Sequence, residues 1–472
     1  MDQILYWNAV ALESDRIAHT EPKQAERGVR GPIGSSRAFA IVHLAMHDAY
    51  FSIVGAPHGT WLTAPPVAAN GSSVAAAVAV AAHTALSVLY PAQTGRLDRA
   101  LREAALPGPG VGRGTAHGQA VARAVLRARK GDPGTDDKNY APDTAPPNHR
   151  PDPVNPAQGY YAPDYGARSR CFAVTTRYTL DPPPKGNDPR YLDALREVRG
   201  KGIAPEAAAT LPPCIAARTA AETLVGLFWA YDGAKGLGTP PRFFNQIVRD
   251  LAAARNNTAD QNARLFALVN TALADAGILA WDDKYRHNLW RPILGIREFD
   301  PSMGPDGTAG DALDADCDPC WRPYGAPRSN VVAFNFSPPF PAYPSGHATF
   351  GAAAFQMVRR FYGVDADGPD TLTEGMGFVS GELDGHTTDN DGVVRPRHIR
   401  RFPGGLWQMM EENGRSRVYL GVHWSFDAFA TGPDGGMDLS RNIGGVRLGR
   451  DIADDLWTRG LKQCQAAGPR TP

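Results

Sequence analysis

A chain of 472 residues can bury a large core and divides most naturally into one big domain or two of medium size. Its 49 Lys plus Arg balance 49 Asp plus Glu, which excludes a general basic footprint for nucleic acid or anionic membrane, so any anion-binding charge has to be concentrated locally. No apolar run approaches the roughly 20 residues of a membrane span, and the opening MDQILYWNAVALESDR lacks the basic region, apolar core and cleavage site of a secretory signal, so a soluble, cytoplasmic protein is the default expectation, with unconventional export left open.

Helical periodicity dominates from the start. SSRAFAIVHLAMHDAYFSIV (35–54) opens on capping serines and carries apolar residues at three- and four-residue spacing. Further helices are predicted over 73–90 and 115–131, the second closed by Arg, Lys and Gly. Residues 132–186 are thick with Pro, Gly, Asp and Asn and predict an irregular segment, either a boundary between two bundles or a wrap on one domain. The helical pattern then returns over 191–200, 216–233, 242–257, 260–299, 346–362, 405–430 and 447–460, with few alternating strands. An all-α protein of packed bundles and long loops follows, divided into 1–190 and 191–472. The five cysteines, Cys171, Cys214, Cys317, Cys320 and Cys464, are too scattered for a disulfide framework. CDPC at 317–320 has CxxC spacing but no second pair to complete a zinc site, so free thiols or a local disulfide are expected.

Three clusters in the second half carry chemistry. In KYRHNLWRP, Lys284 and Arg291 stand seven residues apart, two helical turns, which predicts two cations about 10 Å apart on nearly one face. In FPAYPSGHATF, Ser345 suits an N-cap, Gly346 lets a ligand approach the backbone, and the helix after it aims free N–H groups and a positive dipole end at the same point beside His347. That is an oxyanion site in outline. In SRVYLGVHWSFDA, His423 and Asp427 stand four apart on what the pattern predicts to be one helix, where the carboxylate orients one imidazole nitrogen. Arg417 lies about 240° from His423 on an ideal helix, so both reach one site only if the helix bends or starts between them, at Gly421.

K-x6-R-P, then P-S-G-H, then S-R-x3-G-x-H-x3-D is the three-part signature of the superfamily that joins type 2 phosphatidic acid phosphatases, bacterial acid phosphatases and vanadium-dependent haloperoxidases, and every fixed position is present. The text around it, including WAYDGAKGLGTPPRFFNQIVRDLA and PPFPAYPSGHATFGAAAFQMVRRFY, closely resembles vanadium-dependent haloperoxidases of the chloroperoxidase type over nearly the whole chain. The resemblance implies two four-helix bundles with a vanadate site in the C-terminal one. It implies His423 as the vanadium ligand, Lys284, Arg291, Ser345, Gly346 and Arg417 as hydrogen-bonding partners of the vanadate oxygens, and His347 as the acid–base residue. Phe340 and Trp281 match aromatic positions of that family and become candidates for setting halide preference, and Asp232 is a candidate partner of Arg417. The implied reaction is oxidation of halide by hydrogen peroxide through a side-on peroxovanadate, with Lys284 polarising the peroxide and a small organic molecule accepting the hypohalous acid. Self-association into a homo-oligomer is left open. The main rival is a phosphohydrolase with His423 as nucleophile, since vanadate imitates the phosphoryl-transfer geometry. A non-catalytic oxyanion-binding protein fits the full acid–base set less well.

His43, His47, Asp48 and His287 are expected in packing or surface roles, and Glu411 and Glu412 as solvated helix charges.

Overall fold

Residues 2–20, 29–55, 57–133, 140–186, 188–231, 235–298, 316–325, 337–388, 393–463 and 468–469 are described by the structure, a computed structural model. Among them the chain is helical, as its periodicity requires, and the one sheet is a ribbon of β1 (Ala430–Thr431) and β2 (Met437–Asp438), antiparallel with Ala430 opposite Asp438.

The first bundle consists of α1 (Gln3–Thr20), α2 (Gly31–Val54), α3 (Val74–Leu89) and, after the short α4 (Thr94–Glu103), α5 (Val111–Ala128). Ser73 caps α3 by accepting the Ala76 N–H. Small residues set the close crossing of α3 and α5: a Cβ on Gly118 would fall 2.2 Å from the Ala77 carbonyl oxygen. The sequence pattern singled out neither α1 nor α4. Next come α6 (Tyr165–Arg168), α7 (Pro189–Lys201), α8 (Ala220–Phe228) and α9 (Pro240–Ala254).

The second bundle is α10 (Ala259–His287), followed after a break by the short α11 (Pro292–Glu298), and then α12 (Gly346–Phe361), α13 (Gly405–Tyr419) and α14 (Gly445–Arg459). By length and composition α10 could cross a membrane, but 94% of its apolar window is buried inside the protein, so it is a core helix. It packs on both α2 and α12 and so joins the two bundles through one continuous apolar core.

Three predicted helices end early. Asn288, at a left-handed φ of 47°, closes α10, so 260–299 is two helices and not one. α13 stops at Tyr419, and Gly421 follows at φ 72°, packed so that a Cβ would stand 2.4 Å from the Gly202 carbonyl oxygen. α8 covers only the middle of the predicted 216–233. Among its described residues the Pro-rich segment is irregular apart from α6 and a 3-10 turn at Pro156–Gln158, and it wraps α10: Asn148 bridges Leu289, and a Cβ on Gly166 would fall 2.0 Å from the Asp282 nitrogen. Cys171, Cys214, Cys317 and Cys320 are free thiols, and Cys464 lies outside the described residues.

Candidate active site

Three segments distant in sequence converge where α12 begins. Ser345 has extended backbone and its hydroxyl accepts the Ala348 N–H, so it caps α12 as predicted. Gly346 and His347 are the first two helical residues, and their N–H groups lie outside the intrahelical ladder at the positive end of the dipole. The turn is held from below, because the Ser345 N–H donates to the Asp427 carbonyl at 2.8 Å and the Asn413 amide to the His347 carbonyl at 2.7 Å.

Lys284 comes from the last turn of α10 and is fully buried. Its Nζ donates to the carbonyls of Pro341, Ala342 and Pro344 at 2.9, 3.0 and 2.5 Å, which pins the proline-rich approach to α12 over the ammonium. Arg291 is not two turns further along the same helix; the break at Asn288 places it just before α11. The two cations still meet at one loop, since Arg291 Nε donates to the Phe340 carbonyl at 2.9 Å and Nη1 to the Val422 carbonyl at 2.6 Å. The same Nη1 lies 2.9 Å from His423 Nε2.

α13 delivers Arg417 in its last turn, and His423 and Asp427 lie beyond its end, Asp427 closing a 3-10 turn over Ser425–Asp427. One α-helix through both, as the four-residue spacing predicts, is therefore incorrect: after Gly421 the chain stays irregular through Trp424 and forms only that 3-10 turn. The contact forms all the same: His423 Nδ1 is 2.7 Å from Asp427 Oδ2, which also accepts the Trp424 N–H. The reversal lets Arg417 and His423 line one cavity.

Lys284, Arg291, Arg417, His347 and His423 are all buried. Burial pulls the Lys284 ammonium well below its ordinary range, with Arg291 adding to the effect and Asp427 opposing it. Burial likewise holds both imidazoles well below their usual range, reinforced by Arg291, Lys284 and Arg417 around His423 and by Arg417 first around His347. Asp427 is raised to about 7 by burial, against the pull of Lys284 and Arg291. Among the described residues no cluster of three or more His, Cys, Asp or Glu could hold a bare metal ion. The donors here are three cations, two imidazoles and a helix N-terminus, a set that suits a multiply charged oxyanion and repels a bare cation.

A cavity of about 160 Å³ opens onto this cluster, with Gly346, His347, Arg417 and His423 at its polar end and Trp281 and Phe340 in its apolar wall. The two rings are 4.8 Å apart, and Phe340 lies 5.1 Å from Lys284 Nζ and 5.0 Å from the Arg291 guanidinium carbon. Trp281 is a core aromatic that also faces the site, and Phe340 is half-buried against that core. His347 Nε2 is 2.7 Å from the Ala230 carbonyl, which makes that nitrogen the N–H donor. The indole N–H of Trp229 donates to Glu412 at 2.9 Å, and Arg400 donates to the other oxygen at 2.5 Å. Glu412 is thus not a solvated helix charge but an anchor behind the His347 support, whereas Glu411 pairs with Arg415. Asp232 lies outside the described residues. Sequence reasoning missed Tyr161, which the Pro-rich segment brings to 6.0 Å from the Phe340 ring. Its one signal was a pair of tyrosines in an otherwise polar loop.

A family model described as vanadium chloroperoxidase N-terminal domain matches residues 1–164, and one described as VCPO second helical-bundle domain matches 264–463. Vanadium chloroperoxidase of Curvularia inaequalis is 36% identical in an alignment covering 97% of this chain and 90% of that protein. The crystal structure of the first bacterial vanadium-dependent iodoperoxidase shares the fold at a TM-score of 0.64, with 18% identity over 97% of this chain and 96% of the other. A holo-type bacterial vanadium-dependent chloroperoxidase gives a TM-score of 0.60 at 17% identity, over 95% and 96% of the two chains. With the signature residues gathered around the start of α12 and both halves of the chain matched, the protein belongs to the vanadium chloroperoxidase family of vanadium-dependent haloperoxidases.

Proposed function

We propose that this site binds vanadate and oxidises chloride, bromide or iodide with hydrogen peroxide to hypohalous acid, which a small organic molecule then accepts. The observation that carries the reading is the burial of Lys284, Arg291 and Arg417 around the start of α12 in a chain of zero net charge. Three buried cations gathered at a helix N-terminus make a donor set suited to a multiply charged oxyanion. Arg291, Ser345, Gly346 through its N–H, and Arg417 would hold the vanadate oxygens, and Lys284 would join them by releasing one of its three carbonyl partners. His423 would ligate vanadium through Nε2, because its Nδ1–H is committed to Asp427.

Bound vanadate supplies the Lewis acidity that makes peroxide electrophilic toward halide. The chain's own residues do the rest. His347 takes up the proton that hydrogen peroxide loses, at Nδ1, since Nε2–H is held by the Ala230 carbonyl. Its depressed basicity keeps it neutral and ready to accept that proton at moderate pH. Lys284, fixed by three carbonyls, places positive charge where the oxygen attacked by halide develops negative charge. Trp281 and Phe340 strip water from an approaching halide, which matters most for chloride, the most strongly hydrated of the three. The division of the chain near residue 190 is retained as part of this proposal. Nothing in the geometry favours the phosphohydrolase.

The test is to strip the purified protein, reload it with orthovanadate, and follow dye halogenation by peroxide with each halide alongside aryl-phosphate hydrolysis by the stripped form. Vanadate-dependent halogenation is expected, and its absence with all three halides would sink the proposal.

A further inference from the structure

The Nε2–H of His347 donates to the Ala230 carbonyl at 2.7 Å, so the direction of that one carbonyl decides which ring nitrogen keeps the proton. Ala230 lies just past the end of α8, where a carbonyl is outside the intrahelical ladder. A turn of this kind does not hold itself. Tyr231, the next residue, has φ 40°, a left-handed backbone that a bulky side chain keeps only where its surroundings impose it. On one side of the turn the Tyr231 ring stacks on Phe243 at 4.5 Å and 10°, and its hydroxyl accepts the Gly381 N–H at 2.9 Å. On the other side Trp229 is 1% exposed, meets Phe355 of α12 at 6.2 Å between ring centres, and donates its indole N–H to Glu412 at 2.9 Å. Arg400 donates to the second Glu412 oxygen at 2.5 Å. The two side chains are only 17% and 13% exposed, so this is not the loose, screened pair of an open surface.

We propose that Glu412, set by Arg400, is a positioning residue for the reaction: by anchoring Trp229 it holds the strained turn whose carbonyl keeps His347 in its Nε2–H form. The inference rests on the haloperoxidase reading and adds to it a residue outside the cavity lining. Packing alone tolerates small rotations of an aromatic ring, whereas an indole N–H bonded to a fixed carboxylate does not. Glu412 supplies that fixed point, and the backbone between Trp229 and Ala230 passes it on to the carbonyl. The next residue on α13, Asn413, donates to the His347 carbonyl at 2.7 Å. α13 therefore grips His347 twice, directly at its backbone and at its ring through Trp229 and Ala230. The ring grip is the one that bears on proton transfer, because it selects the nitrogen that accepts.

Trp229→Phe removes the indole N–H and keeps an aromatic ring, Glu412→Ala removes its acceptor, and Glu412→Gln keeps an oxygen for it. In the vanadate-loaded full chain, Trp229→Phe and Glu412→Ala should each lower kcat for bromide oxidation by about tenfold. Vanadate content and the KM for peroxide should stay within about twofold of the parent. Glu412→Gln should recover most of the loss, and the double variant Trp229→Phe/Glu412→Ala should be no slower than either single one, because both cut the same link. Glu411→Ala, which breaks the neighbouring pair with Arg415, should leave kcat unchanged. Long-range proton–nitrogen NMR of the stripped, histidine-labelled chain reads the tautomer without turnover, with the His347 signal assigned by its loss in His347→Ala. It should show Nε2–H in the parent and a mixture of both forms in Trp229→Phe and Glu412→Ala. An unchanged tautomer, or losses that add in the double variant, would overturn this inference and leave the haloperoxidase reading intact. Absence of halogenation by the parent would overturn that reading, and the tautomer alone would then decide the role of Glu412.

Discussion

His43 and His423 are both fully enclosed, yet their surroundings could hardly differ more. His43, on α2, lies where α1, α9 and α10 meet: its Nδ1 is 2.7 Å from the Phe39 carbonyl, its Nε2 2.9 Å from the Asn8 amide, and its ring stacks on Phe266. Asn8 continues to Asn245, and Asn245 exchanges hydrogen bonds with Asn270 at 2.8 and 3.0 Å. Burial lowers this imidazole to about 4, the Phe39 carbonyl opposes it and one cation, Arg249, adds to it, while both hydrogen-bond partners of the ring are neutral. His423 is lowered by burial too, but there Arg291, Lys284 and Arg417 add to the effect. The lesson is that a depressed histidine does not mark a site. What marks it is the gathering of Lys284, Arg291 and Arg417 beside a helix N-terminus, a set of donors that suits an anion.

Breaking the cationic region should have the largest effect. His423→Ala is expected to weaken vanadate retention by more than about 100-fold, measured by metal content after dialysis, with the secondary structure kept. His347→Ala should retain vanadate within a few-fold and lower kcat by about 10²–10⁴; the opposite pattern for these two variants would reverse their assigned roles. Phe340→His puts a polar ring in the desolvating wall and should reduce chloride relative to bromide oxidation by on the order of tenfold, and an unchanged ratio would remove Phe340 from halide selection. Asn8→Ala tests the His43 region: leaving the His43 and Asn245 partners unanswered should cost about 1–3 kcal/mol in urea unfolding with no change in kcat.

Much of this was legible in the sequence, for reasons that differ by residue. Apolar periodicity and the capping Ser345 gave the start of α12, because both act within a few residues. The spacing of Lys284 and Arg291, and of His423 and Asp427, predicted correct neighbours on incorrect geometry. Asn288 and Gly421 each adopt a left-handed backbone that ends a helix, and tertiary packing against Gly202 fixes the second of them. Tyr161 and Glu412 were beyond reach, since one enters the site from a segment without periodicity and the other acts through Trp229, nearly two hundred positions away. The family resemblance supplied the roles that no spacing contains.

Titrating orthovanadate into the stripped protein by calorimetry, with halide oxidation followed on the same samples, tests the central claim most directly. The account predicts one vanadate per chain, with activity rising in proportion to occupancy. No saturable binding, or full halide oxidation without vanadate, would contradict it.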